Sequence, residues 1–300
     1  MSQTSLPSSA LGSERIAGQT SWARVAIATP LLTAILAALY WPILTGLVAQ
    51  WWDDANYSHG FLVPLFSGFL VWRARARLTA VVPRGSLPGL AVLIGGLGIL
   101  ILGTIGAENF LMRASLIIVL SGLVLFHLGT RVLRILFFPL TFLFFMVPLP
   151  AVVFYAVTFP LQRLAAENAA WTLDLLGVPV LLDGNVIHLS QITLGVTEAC
   201  SGIRSLISLL AGAVAWAYLM LPLGLIAGAF VLSAIPITIF ANAARVVATG
   251  LIGQWLGVEY ASGFFHEFAG LAVYTFALAC LGGAYTLARA LGRPTGHPHK

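Results

Sequence analysis

Long apolar runs separated by short polar flanks dominate the chain. A helix that crosses a hydrocarbon core of ~30 Å needs about 20 mostly apolar residues. Runs of that kind predict helices near residues 23–48, 60–76, 88–106, 113–129, 132–150, 200–220, 223–248 and 266–289. Pro64 interrupts the second of these, and the short turn at Thr130-Arg131 makes the fourth and fifth a helical hairpin. No internal repeat is visible.

One sizeable stretch, 151–199, departs from this pattern. Its first half, Ala151 to Leu176, is apolar but carries Gln162, Arg163, Glu167, Asn168 and Asp174, which predicts a helix lying on or re-entering the membrane surface. A ninth span here is the alternative, and it would reverse the orientation of everything after it. The second half alternates like strand. Val178–Leu182 and Asn185–Leu189 flank Asp183-Gly184, a hairpin turn signal, and Ile192–Val196 offers a third strand. The fold class expected is therefore an all-α polytopic membrane protein with about eight spans and a small extracytoplasmic helix plus β-hairpin before the sixth.

Composition supports that class. Of 300 residues, 59% are hydrophobic and 8% charged, where a soluble domain typically carries about 25% charged residues. The net charge of +5 does not point to nucleic acid, because the basic residues sit in short flanks between apolar runs, where they act as topology signals. With eight spans, the basic residues collect on the side of both termini, including Arg73, Arg75, Arg77, Arg131 and Arg134, while only Arg113, Arg163, Arg204 and Arg245 fall opposite. This bias places both termini in the cytoplasm. The Ser- and Gly-rich residues 1–22 read as a disordered cytoplasmic terminus, 23–290 as a single membrane domain and 291–300 as a cytoplasmic tail. The first apolar run is too long for a cleaved signal peptide and reads as a retained helix.

Reactive side chains gather at the boundaries of the later spans. Cys200 lies in Thr197-Glu-Ala-Cys-Ser-Gly-Ile-Arg204, Arg245 closes Asn242-Ala-Ala-Arg245, and His266 opens the last helix beside Glu267. From Cys200 to Arg245, two crossings of the core use roughly 40 residues at about 1.5 Å each, with Met220–Gly224 as the turn. All three residues thus reach one membrane face, the outer one, through three helices. Thr197 as N-cap would set Cys200 at the third helical position, where the helix N-terminus favours the thiolate, with Arg204 on the same face at i+4. Asn242 at i−3 would orient Arg245. Each residue has an ordinary reading as well: a packing thiol, a snorkelling arginine, a solvated His–Glu pair. Cys280, deep in the last helix, reads as packing only. A thiol, a guanidinium and an imidazole on one face predict cysteine-dependent acyl transfer at a bilayer surface.

The run Glu198-Ala-Cys-Ser-Gly-Ile-Arg204, then Asn242-Ala-Ala-Arg245, then His266, resembles the exosortase/archaeosortase family, and Ser58-His59-Gly60 followed by Pro64 resembles a further motif of that family. The resemblance covers essentially the whole chain. It implies a membrane-embedded, transpeptidase-like sorting protease of the bacterial inner membrane, with its active site on the periplasmic face. Such an enzyme cleaves exported proteins at a C-terminal tail made of a short motif, often Pro-Glu-Pro, an apolar helix and a basic cluster. It would pass the new C-terminus to an acceptor, a lipid or polysaccharide, in connection with exopolysaccharide production. By the same resemblance Cys200, Arg245 and His266 match the catalytic residues. Arg204, Asn242, His59 and Glu198 stand as supporting or substrate-binding candidates, and His59 competes with His266 for the role of base. Membrane lipid and tailed exported proteins are the partners implied; no cofactor and no metal are called for, since no Cys/His metal spacing and no phosphate-binding glycine loop occurs in a usable context. A non-enzymatic transport or scaffold component of exopolysaccharide export is the alternative, and it predicts polar groups along a path at mid-depth rather than at one face.

Overall fold

The structure, a computed structural model, describes residues 8–196, 202–257 and 264–291, with 8–29 and 264–268 described as backbone only. The chain forms two compact units, Met1–Pro150 and Ala151–Lys300, where the sequence alone suggests one membrane domain.

In the first unit, helix α1 covers Ser8–Asp53. Its backbone is already helical within the stretch 1–22 that composition assigns to a disordered terminus; extending an established helix avoids the cost of nucleating one. A 3-10 helix, Ala55–Phe61, follows, then α2 (Leu62–Arg73), α3 (Arg75–Thr79), α4 (Pro88–Ile105), α5 (Asn109–Leu128), α6 (Thr130–Phe142) and a second 3-10 helix, Leu143–Met146. Helices α4 and α5 form a tight hairpin through bare α-carbons. A Cβ on Gly96 would lie 2.8 Å from Val119, and one on Gly122 would lie 2.6 Å from the backbone of Leu93. Small residues let membrane helices approach this closely and gain dispersion contacts that lipid cannot match. Helix α1 packs on the pair through Tyr40, whose hydroxyl meets Ser115 Oγ at 2.9 Å, with Leu100 and Val119 buried beside it. Arg113, buried, donates to Gln50 Oε1 and so satisfies part of its charge inside the unit.

In the second unit, α7 (Ala151–Leu175) leads into a three-stranded antiparallel sheet of β1 (Leu181–Asp183), β2 (Val186–His188) and β3 (Thr193–Gly195). The β1–β2 turn falls on Gly184-Asn185, one residue later than the sequence signal, because Asp183 pairs with Val186 and Gly184 takes the positive φ of 61°. Helices α8 (Ile203–Met220), α9 (Leu225–Trp255) and α10 (Phe264–Leu291) follow. Leu209, Ala213, Phe230, Ala234, Ala277 and Leu281 form one core between these three helices. A second core, with Ala166, Ala169, Leu173, Ile187, Val196 and Val246, fastens α7 and the sheet to α9.

Among the described residues, six helical segments are long and apolar enough to cross a membrane: Pro30–Asp53, Pro88–Ile105, Asn109–Leu128, Ile203–Met220, Leu225–Trp255 and Ala269–Leu291. A seventh arises if Thr130–Met146 and Ala151–Leu175 form one broken span. The expected count of eight is corrected at two places. The run 60–76 becomes a 3-10 turn plus the 12-residue α2, only about 18 Å long at 1.5 Å per residue. The run 132–150 breaks after α6, where the chain tightens into a 3-10 turn ahead of Pro148.

Candidate functional site

The second unit carries the described part of the expected site. Helix α8 begins at Ile203, with Gly202 as N-cap at φ 81°. A left-handed glycine cannot continue a right-handed helix from its N-terminal side, so α8 itself starts here. The N-cap expected at Thr197 and the third helical position expected for Cys200 lie outside the described residues. Arg204 is exposed on the first turn of α8, where its carbonyl accepts from Ser208 Oγ at 2.8 Å.

Gly202 is needed for a second reason. A Cβ there would sit 3.0 Å from Cγ and 3.1 Å from Cβ of Asn242. The missing side chain lets the chain that leaves the cysteine motif press against α9 at a buried amide. Arg245 lies one turn further along α9, half-buried, with its carbonyl accepting from Thr249 Oγ1 at 3.0 Å. One turn beyond that, Gly250 makes room for the sheet: a Cβ on it would meet Leu173, Leu189 and Leu194 at 3.2 to 3.4 Å. Helix α9 therefore carries, in order, the Gly202 contact, Arg245 and the seat of the sheet. An apolar groove between α7 and α9 runs past the same turns, floored by Ala243, Ala244 and Ala248 and walled by Trp171 and Phe240.

The other candidates fall outside the described side chains, deeper in α10, or in the first unit. Cys200 and Glu198 lie outside the described residues, and His266 falls in the first turn of α10, within its backbone-only stretch. Cys280 is half-buried in α10. His59 belongs to the first unit, in the 3-10 helix capped by Asp54, whose carboxylate accepts from Asn56 N at 2.9 Å. Its ring Nε2 meets the Phe145 carbonyl at 3.1 Å; a carbonyl only accepts, so this nitrogen carries the proton. Nearby, Trp51 Nε1 donates to the Met146 carbonyl at 2.9 Å. The end of α6 and its 3-10 continuation leave carbonyls without helical donors, and two ring N–H groups satisfy them. Gly60 completes the junction, since a Cβ there would collide with the Trp51 indole. Burial pushes the His59 pKa below its ordinary value, against the opposing pull of the Phe145 and Asn56 carbonyls.

Sequence reasoning did not single out Gly202 or Trp51. The glycine two residues after the cysteine was the available signal for the first. Nothing in local sequence marks Trp51 as the donor to a carbonyl 95 residues away.

The chain matches the family model described as transmembrane exosortase over residues 51–283, most of its length and all of the candidate site. No curated protein and no solved structure matches it.

Proposed function

Because the chain belongs to the transmembrane exosortase family, we propose that it is a cysteine-dependent peptidase and transpeptidase that removes the C-terminal tail of exported proteins at the outer face of the bacterial inner membrane. The observation that carries the proposal is the fit of Gly202 against Asn242, which seats the end of the cysteine motif one turn from Arg245. Cys200, as thiolate, attacks the scissile carbonyl, the C–N bond breaks, and a thioester remains. His266 delivers the proton to the leaving amine. Arg245 cannot serve as a base and instead stabilises the negative oxygen of the tetrahedral intermediate. Asn242 supports Arg245 from the preceding turn, and Glu198 and Arg204 flank the cysteine as substrate contacts. His59 is assigned a structural role, its Nε2–H sealing the Phe145 carbonyl, while its Nδ1 keeps the lone pair of a competing base.

A lipid or polysaccharide nucleophile, or water, then resolves the thioester. The alanine-floored groove between α7 and α9 suits the apolar helix of the tail, whose basic cluster stays in the cytoplasm with both termini of the enzyme. The test is an immunoblot of a tailed reporter co-expressed with the intact chain or with Cys200→Ala. A size shift that needs the cysteine supports the proposal; processing retained in the Cys200→Ala variant, with normal membrane insertion, ends it.

A further inference from the structure

The two edges of the sheet differ in chemistry. Strand β1 ends on Asp183, and a charge at a strand end is an ordinary means of blocking an edge. Strand β3 reads Thr193-Leu194-Gly195, without charge, and pairs only with β2. Its ladder fixes which backbone groups are used. Leu189 N donates to Ile192 O and Val196 N to Asn185 O, both at 2.9 Å, and Ile187 stands opposite Leu194. Residues 192, 194 and 196 therefore turn their N–H and C=O groups toward β2, and Thr193 and Gly195 turn theirs outward. Both outward residues are exposed, and the position of a Cβ on Gly195 is open space. Meanwhile Leu194 and Val196 anchor the strand on α9 beside Gly250 and Val246, just beyond Arg245.

We propose that the outer edge of β3 binds the cleavage segment of the substrate as an added strand. This rests on the peptidase reading above and names how that enzyme holds its substrate. Outward N–H and C=O groups at 193 and 195 have the two-residue repeat that only an extended peptide matches, and main-chain pairing of this kind gives affinity without demanding a side-chain sequence. The chain runs from this edge into the cysteine motif, with Cys200 five residues beyond Gly195. An extended segment also presents its carbonyls singly, as attack by a thiolate requires. A second copy of the chain fits less well, since a three-residue edge forms too short a ladder to hold a dimer by itself.

The experiment uses the full chain co-expressed with a reporter ending in Pro-Glu-Pro, an apolar helix and a basic cluster. Thr193→Pro and Gly195→Pro each delete one outward N–H while sparing the backbone bonds to β2, and proline is tolerated on an edge; Thr193→Val isolates the separate loss of the Thr193 hydroxyl, which meets His188 Nδ1 at 3.2 Å. Processing should fall roughly five- to tenfold in each proline variant, the effect of about one hydrogen bond. In detergent, synthetic peptides carrying the motif with single N-methylated amides should lose cleavage at every second position, a test that no folding defect can imitate. Intact processing by both proline variants, or uniform tolerance of N-methylation, overturns the inference while a dead Cys200→Ala leaves the peptidase standing. Processing by Cys200→Ala removes the peptidase reading itself. A disulfide between copies of Thr193→Cys in membranes that added motif peptide fails to block assigns the edge to self-pairing and also overturns the inference.

Discussion

Two breaks in the helical pattern, one in each unit, solve the same problem in opposite ways. Around His59, side chains are brought in: the imidazole and the Trp51 indole donate to the Phe145 and Met146 carbonyls, and the irregular backbone is sealed. Around Gly202, a side chain is left out, and the chain that follows the cysteine rests directly on the Asn242 amide. The first junction uses up its polar groups in structure. The second sets the end of the cysteine motif against α9, one turn from Arg245. One junction is closed by adding ring N–H donors and the other by omitting a Cβ, and hydropathy alone does not distinguish them.

The largest effects should come from the second junction. Arg245→Ala is expected to lower tail processing by about 10²- to 10³-fold, as loss of an oxyanion donor does. Arg245→Lys should recover little of it, since an ammonium lacks the planar fork; a quantitative blot of processed reporter reads both. Gly202→Ala comes next. At φ 81° and 3.0 Å from Asn242 it should cost about 1–2 kcal/mol of stability and reduce processing as well. Thermal unfolding in detergent beside the reporter assay checks the pair, and an active, stable Gly202→Ala would break the contrast.

At the first junction the expectation is lost stability with activity kept. Trp51→Phe leaves the Met146 carbonyl without its donor and should cost about 1–3 kcal/mol, with processing per folded molecule unchanged. The smallest effect is a pH dependence. Because the folded state holds the His59 pKa down, the unfolded chain takes up a proton first as pH falls, so stability present above the ordinary histidine range is lost on acidification through it. His59→Gln should flatten that slope between pH 8 and pH 5, read by thermal unfolding across the same range.

Much of this was legible in the chain. Apolar runs located the principal spans, and the spacing of Cys200 and Arg245 anticipated two helices joined near Met220–Gly224, which α8 and α9 are. What escaped was long-range. The run 60–76 has the hydropathy of a span, yet its first residues belong to a 3-10 turn held by Trp51 and by carbonyls far down the chain. The start of α8 at Gly202 also escaped, because the α9 surface at Asn242 excludes a side chain there. Periodicity reports which residues avoid water; it does not report which backbone carbonyls are left over, or where another helix comes too near for a Cβ.

The link before α4 bears on how the molecule assembles. Arg84 N donates to the Leu128 carbonyl, Ser86 N to the carbonyls of Leu125 and Phe126, and the Arg84 carbonyl lies against the bare α-carbon of Gly129. A segment made before α4 thus terminates α5, whose end leaves the ribosome about 40 residues later. The early loop has to wait, still solvated, until the hairpin returns to it. Exchange of the Arg84 and Ser86 amides with deuterated water is therefore a clock for the moment the α4–α5 hairpin is complete.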